Sequence, residues 1–175
     1  MRSISLAVTA ALVLCVCVGP VPADAPLFVG VEAPEPAMAR LYVFRPAFTK
    51  LLQSEAPALL ANGREVAPVR QWTYTNLSLA PGKYTLSLKP GKTESARWAT
   101  TIKFRAKAGD IYFLAIWMQS EAHRSINFSP FVPATPSLRA TGVGHEFVTE
   151  QQALDVLAGL LYLAPAHVRY QATEP

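Results

Sequence analysis

Cysteine is almost missing from this chain, and the little there is lies near the N-terminus. The only two cysteines are Cys15 and Cys17. If that region is removed, the rest of the chain can form no disulfide, no cysteine–zinc site and no covalent haem attachment. Its roughly 150 residues must then be stabilised by an ordinary hydrophobic core, which is feasible at that size.

The chain also has only a small excess of one charge sign. Lysine and arginine number 16 against 12 aspartate and glutamate, a net charge of +4, and the basic residues are scattered rather than grouped in a run. The chain therefore lacks the basic stripe of a nucleic-acid-binding protein, and we expect no nucleic-acid partner. A weak attraction to anionic lipid or to a cell-wall polymer stays open, beside the simpler interpretation that these charges are solvated on strand surfaces.

No apolar run is long enough for a transmembrane helix. The uncharged run 4–18 is roughly 15 residues, short of the ~20 that a spanning helix needs. It follows Arg2 and ends at Gly19-Pro20, which is the layout of a secretory signal peptide. We therefore predict a signal peptide over residues 1–23 and an exported protein, periplasmic or secreted, with no transmembrane span in its mature form.

The position of signal-peptide cleavage determines whether the exported protein is soluble or anchored by a lipid. Cleavage after Ala23 leaves a soluble chain that begins at Asp24. The less favoured alternative is a lipid anchor at Cys17, because lipidated cysteines follow a small residue and Val16 stands before this one.

Composition divides the remaining chain into a linker, one domain and a tail. Several prolines, which lack a backbone donor, and the absence of a helical apolar period predict an extended linker over 24–38. Residues 39–165 have the length of one domain, and residues 166–175 form a tail.

Short β-type segments separated by turn residues dominate that domain. Leu41–Phe44 and 111–118 are apolar on both faces, as buried strands are, while 84–88 alternates between apolar and polar residues. Asn62-Gly63 between two such runs is typical of a type I′ hairpin. The spacing predicts a mainly β fold, a single antiparallel β-sandwich.

One helix is expected near the C-terminus. Thr149 and Gln152 form a capping box, and a helical stripe of apolar residues follows until Pro165. We predict that this C-terminal α-helix extends over about 149–162 and covers one face or edge of the sheets.

The running order of these segments resembles a bacterial family of small exported domains of unknown function, many of which are lipoproteins. The resemblance is carried by a Leu-Tyr-Val-Phe-Arg strand at 41–45, the Asn62-Gly63 hairpin, a Leu-x-Pro-Gly-x-Tyr-x-Leu segment at 79–86, Gly-Asp-x-Tyr-Phe at 109–113 and the late helix. It implies an exported β-sandwich. Because the family has no settled activity, it implies no catalytic residue.

No cluster of residues points to an enzyme or a cofactor. Glu121 and His123, joined by His145 or His167, are at most a weak metal-site pattern, and surface histidines are the better interpretation. The chain has neither a nucleophile elbow nor a spacing that selects a carboxylate pair. We predict no catalytic residue, no metal and no cofactor.

The candidate contact residues are aromatic and basic. Trp72 and Tyr74 share one strand face, and exposed aromatics on a sheet can stack on sugars or contact proteins; the competing interpretation places them in the core. Tyr42 and Arg45 are further candidate surface contacts. The sequence favours a binding or structural module of the cell envelope that contacts another envelope protein, with carbohydrate or peptidoglycan binding as the alternative and a hydrolase less favoured.

Overall fold

The computed structural model describes residues 25–46, 52–120, 140–167 and 169–173. These residues form two β-sheets, one α-helix (α1) and a single-turn 3-10 helix at Ala96–Trp98. The predicted signal peptide, both cysteines, Glu121 and His123 lie outside the described residues. The elements are β1 (Ala39–Arg45), β2 (Ala58–Ala61), β3 (Arg64–Pro68), β4 (Thr73–Leu79), β5 (Gly82–Lys89), β6 (Thr100–Ala106), β7 (Ile111–Ser120), β8 (Ala140–Val148), α1 (Glu150–Leu157), β9 (Leu161–Tyr162) and β10 (Arg169–Tyr170).

The first sheet is mixed rather than antiparallel. Its order is β10-β4-β1-β7-β8, with β9 also paired to β4. Strand β1 is antiparallel to β4 but parallel to β7, and both β9 and β10 run parallel to β4. The prediction of an antiparallel arrangement is therefore wrong for this sheet. Between β1 and β7 the chain forms β2 and β3 of the second sheet, β4 of the first sheet, and then β5 and β6 of the second sheet. Strand β7 then runs in the direction of β1, so the connection between them is a crossover and not a hairpin.

The second sheet is antiparallel throughout, in the order β3-β2-β5-β6. Its β2–β3 turn is the predicted hairpin, with φ values of 50° at Asn62 and 78° at Gly63. The Asn62 side chain adds a tie, because its Oδ1 accepts from the backbone N–H of Thr85 at 2.9 Å. Asparagine therefore both permits the turn and anchors it to β5.

The inward faces of both sheets contribute to one buried cluster. Alternate residues of β1, β4 and β7 meet alternate residues of β5 and β6 in it, including Leu41, Leu77, Leu114, Leu86 and Ile102. The prediction of a mainly β chain with one helix is confirmed. Over the described part of the chain, neither sheet closes into a barrel.

The outward face of the first sheet is covered by a second cluster that includes the helix. Ala153 and Leu157 of α1 are fully buried there, and the predicted capping box of Thr149 and Gln152 is present. The helix is shorter than the predicted 149–162 because the chain turns at Gly159. Leu161–Tyr162 then pair with β4, a ladder that satisfies backbone groups which a longer helix would otherwise bond internally.

Both segments that flank the domain contact the first sheet. Within the predicted linker, Leu27 forms a β-bridge with Leu161 and Phe28 packs against the second cluster. Within the predicted tail, Arg169–Tyr170 form β10 at the edge of the sheet. Among the described residues, no helix has the length and apolar character needed to cross a membrane.

Candidate binding surfaces

Arg45 lies in the interior rather than on the surface. It is 3% exposed at the end of β1. Its Nη1 donates to the carbonyls of Glu55 (2.6 Å) and Val69 (3.2 Å), and Nη2 donates to that of Leu52 (2.9 Å). Burial lowers the pKa of Arg45 to about 10, a shift that the charges of Glu55 and Glu94 oppose, so it remains a cation at neutral pH. These hydrogen bonds connect the end of β1 to the segment that contains Leu52 and Glu55 and to Val69, which follows β3.

The carboxylate of Glu55 extends this polar network. Glu55 Oε2 accepts from the indole Nε1 of Trp98 at 2.8 Å and from the backbone N–H of Ser95 at 2.9 Å. The guanidinium carbon of Arg45 in turn lies 4.4 Å from the centroid of the Trp98 ring, within the range of a cation–π contact. Trp98 lies in the 3-10 helix and is fully buried.

Tyr42 and Tyr74 are also buried, on the outward face of the first sheet. Their exposures are 1% and 7%. Phe28 packs over both rings in edge contacts, at centroid distances of 6.2 Å to Tyr42 and 5.5 Å to Tyr74. Burial raises the pKa of Tyr74 to about 12. These two side chains are therefore part of the core, as the competing interpretation expected, and neither is placed to contact a partner.

The segment that covers them, residues 26–35, is hereafter called the strap. Hydrogen bonds fix its start, because Phe28 N–H donates to Leu160 and Tyr162 N–H donates to Pro26. Its acidic residues fix the remainder, through a Glu32–Arg40 ion pair at 3.3 Å and a Glu35–Arg169 ion pair.

Trp72 is the one of the four candidate contact residues that reaches the surface. It is 58% exposed and has a positive φ of 62°. Its backbone is nevertheless held, because its N–H donates to Arg45 and its carbonyl accepts from Leu161. The predicted pair of Trp72 with Tyr74 does not form a platform, since Tyr74 lies beneath Phe28.

Strand β8 is a surface that the sequence did not single out. It pairs with β7 on one side, and no described strand pairs with its other side. Thr141, His145 and Phe147 point toward the same side as the inward residues of β7, yet all three are exposed. The second sheet therefore covers the inward side of β8 only in part, since Val143 packs against the shared core cluster. Proline-rich sequence just before it obscured any strand pattern.

Phe147 is the apolar end of this surface. It is 39% exposed, and its ring lies 5.3 Å from Phe104 of β6 and 6.3 Å from Tyr112 of β7, measured between centroids. These three aromatics fill the opening between the edges of the two sheets. They form a partly exposed apolar site beside an unpaired strand edge of the described fold.

Two glycines, Gly142 and Gly144, lie on the opposite side of β8. Trp117 of β7 lies directly across from Gly144. A Cβ atom on Gly144 would lie 2.2 Å from the indole Cε2 of Trp117, whereas a Cβ on Gly142 would meet nothing within 4 Å. Glycine at 144 is therefore required for the indole to lie flat on the strand.

The described residues bring together no group of three metal-ligating side chains. His145 is exposed on β8, and His167 packs edge-on against Tyr170. A shallow cleft of about 220 Å³ is lined in part by Glu65, Lys89 and Glu94. Both carboxylate oxygens of Glu94 accept backbone N–H groups, from Ala56 and Gly91, so this acid stabilises the loop rather than facing a substrate.

No protein-family model matches this chain, and no curated protein matches it either. The resemblance to the family of small exported domains therefore stays a prediction.

Proposed function

We propose that this protein is a non-catalytic β-sandwich module of the cell envelope that binds another envelope protein by adding an extended segment of that partner to strand β8. The observation that carries the proposal is the edge of β8. Its nine residues have a strand partner on one side only within the described chain.

Physical chemistry favours occupation of such an edge. An edge strand presents a row of backbone donors and acceptors, and soluble proteins commonly shield long flat edges with proline or charge. Strand β8 contains no proline and one formal charge, Glu146, beside His145. An added strand would gain main-chain hydrogen bonds, and a pocket for an apolar side chain would give selectivity. The half-exposed Phe147, backed by Phe104 and Tyr112, supplies that apolar contact.

Site-specific photocrosslinking from position 147 in intact cells tests the proposal. We expect one envelope protein to be captured at 147, and the purified partner to protect β8 amides from hydrogen exchange. A matched control is position 29, since Val29 is 95% exposed but lies on the strap. Binding that is unchanged in Phe147→Ser, or protection that appears on another strand, would reject β8 as the docking edge.

Binding of a carbohydrate or of peptidoglycan is the second candidate, and the exposure of Trp72 favours it. One exposed indole can stack on a sugar ring. Trp98 and Trp117 are 0% and 8% exposed, so a change in tryptophan emission on sugar titration would report Trp72. A sugar response retained in Trp72→Phe would show that Trp72 is not the sugar contact, and failure of the protein to sediment with purified cell wall would remove this candidate.

The proposal includes export, because it places the module in the envelope. Intact mass of the protein from its own cell fraction distinguishes the routes. A chain beginning near Asp24 is the soluble form, and a lipidated chain beginning at Cys17 is the anchored alternative. A mass that retains residues 1–23 unmodified would contradict both.

A further inference from the structure

Exposed apolar side chains are concentrated where the strap joins the first sheet. Among the described residues the large apolar side chains that remain exposed are Leu27, Val29, Trp72 and Phe147. Leu27 and Val29 lie on the strap, and Trp72 immediately precedes β4. We call these three residues the entry patch, and Phe147 belongs to the separate surface at β8.

Backbone pairing brings the segments of the entry patch together. Leu161 of β9 forms a β-bridge with Leu27 on one side, and its N–H donates to the carbonyl of Trp72 at 2.9 Å on the other. Neighbouring strands lie about 4.8 Å apart, so the backbones of Leu27 and Trp72 are separated by roughly 10 Å. Leu161, itself only partly buried, lies between them, and Val29 follows Leu27 by two residues.

The backbone of Trp72 is held in an unfavourable conformation. Its φ of 62° lies in the left-handed region, which bulky residues seldom adopt. Hydrogen bonds on both sides maintain this conformation, because the N–H donates to Arg45 and the carbonyl accepts from Leu161. Backbone strain of this kind persists chiefly at sites of function. Here it accompanies a large indole that is kept in solvent, which points to a contact outside the chain.

The chain also enters the fold at this patch. The carbonyl of Pro26 accepts a backbone hydrogen bond from β9 at 2.8 Å, and the bridge of Leu27 comes at the next residue. The predicted signal peptide lies upstream with its apolar run 4–18, which a membrane holds during export. Residues 19–26 can span at most about 30 Å. The patch is therefore close to the bilayer during export, and the alternative lipid anchor would keep it there.

The side chains of the patch match the chemistry of a membrane interface. Tryptophan combines a large apolar ring with one N–H donor, and it is enriched where the headgroups of a bilayer meet the acyl chains. Leu27 and Val29 are aliphatic, so they gain from burial among acyl chains but cannot hydrogen-bond to the hydroxyl groups of a sugar. The composition of the patch therefore favours a bilayer over a glycan.

We propose that the entry patch inserts into the surface of a phospholipid bilayer and holds the protein there beside the point where its chain enters the fold. Binding by such a patch depends on the apolar area that it buries. The inference shares with the proposed function only the export of the protein, which intact mass tests separately. It does not involve β8, so failure at one surface leaves the test of the other unaffected.

Phospholipid vesicles titrated into the processed protein test the patch through its own tryptophan. The vesicles contain phosphatidylethanolamine and phosphatidylglycerol, with brominated acyl chains in one series. Because Trp98 and Trp117 are buried, a shift of emission to shorter wavelength and quenching by bromine report Trp72. Both signals should be lost in Trp72→Phe. Absence of quenching in the unmodified protein would overturn the proposal without the need for any variant.

Variants of the strap then test which side chains bind. We expect Leu27→Ser/Val29→Ser to weaken partitioning into vesicles about tenfold, because two aliphatic side chains no longer gain from burial. The control Phe147→Ser removes an exposed aromatic from β8 and should leave partitioning unchanged. Equal effects of the double variant and of this control would overturn the proposal. Circular dichroism of each variant checks that the fold is retained.

Salt and a second ligand complete the test. Partitioning that persists at high salt supports an apolar contact, since salt screens charge but does not weaken apolar burial. Loss of partitioning at high salt would overturn the proposal, because the net positive charge alone would then explain the attraction. A response of Trp72 emission to purified peptidoglycan but not to vesicles would overturn it in favour of a sugar contact.

Discussion

Replacement of Gly144 by alanine should destabilise the fold, while the same replacement at Gly142 should not. Both glycines lie on β8 and point to the same side of the strand. At Gly144 the new Cβ would lie 2.2 Å from Cε2, 2.3 Å from Nε1 and 2.6 Å from Cζ2 of the Trp117 indole. Ordinary carbon contacts are about 3.5–4 Å, so the ring or the strand must move by more than about 1 Å.

The indole has little space in which to move. Trp117 is 8% exposed and belongs to the second buried cluster. Overpacking of this kind costs about 1–3 kcal/mol, from which the gain of alanine over glycine in a strand, about 0.5–1 kcal/mol, must be subtracted. We therefore expect Gly144→Ala to lower the free energy of unfolding by about 1 kcal/mol, and by at most about 2.5 kcal/mol. Gly142→Ala should be neutral or slightly stabilising.

Urea denaturation followed by tryptophan fluorescence and circular dichroism measures both variants. Trp117→Phe in the Gly144→Ala background should recover part of the loss, because a smaller ring leaves room for the methyl group. Equal stabilities of Gly142→Ala and Gly144→Ala, or no recovery in the double variant, would refute the packing of Trp117 on Gly144.

Three further predictions concern the interior and the strap. Arg45→Lys should lower the free energy of unfolding by about 2 kcal/mol or more in denaturant titrations, because the single ammonium nitrogen lacks the two-nitrogen fork by which Nη1 and Nη2 reach the carbonyls of Leu52, Glu55 and Val69; the exposed Arg64→Lys is its control, and equal effects of the two substitutions would contradict the role of the buried guanidinium. Phe28→Ala should speed hydrogen exchange at the Tyr162 amide, which donates to Pro26, by about tenfold, and Val29→Ala should leave it unchanged; equal exchange in both variants would mean that the aromatic contact does not hold the strap. Burial raises the pKa of Tyr74 and of Tyr84 to about 12, so the folded state keeps protons that the unfolded state loses from about pH 10, and stability should fall as pH rises from 10 to 12; phenolate absorbance, compared with that of the Tyr74→Phe and Tyr84→Phe variants, follows these residues, and ionisation of either with a midpoint near pH 10 in the folded protein would contradict its burial.

The sequence was most informative where a local pattern has one structural solution. Asn62-Gly63 specifies a turn with two positive φ values, and the structure has that turn. Thr149 and Gln152 specify a helix start, and the helix begins where they place it. In both cases the residues that encode the feature are adjacent along the chain, so neighbouring interactions decide the result.

Features that depend on distant segments were predicted less well. The parallel pairing of β1 and β7 depends on how the chain returns after the second sheet, which no short pattern encodes. The helix end was missed because Leu160 and Leu161 continue its apolar stripe, although Leu161 pairs with β4 instead. Tyr42 and Arg45 stand on a strand that is buried on both faces, one covered by the strap and the other facing the second sheet.

The edge of β8 was missed for a related reason. A glycine-containing strand such as 140–148 has a weak β pattern, and its strand geometry depends on pairing with β7 and on the fit of Trp117 over Gly144. Its exposure depends on the width of the second sheet, which is a property of the assembled fold. Phe147 therefore gave no sequence signal that distinguished it from a core aromatic.

Amide hydrogen exchange of the isolated monomer along β8, resolved by NMR, tests the open edge most directly. In an antiparallel pair, alternate residues direct their N–H groups toward the partner strand. If the edge is open, every second amide of β8 should be protected by β7 while its neighbours exchange rapidly. Continuous protection from residue 140 to residue 148 in the isolated monomer would show that this edge is already occupied, and would contradict the proposal that β8 receives a partner strand.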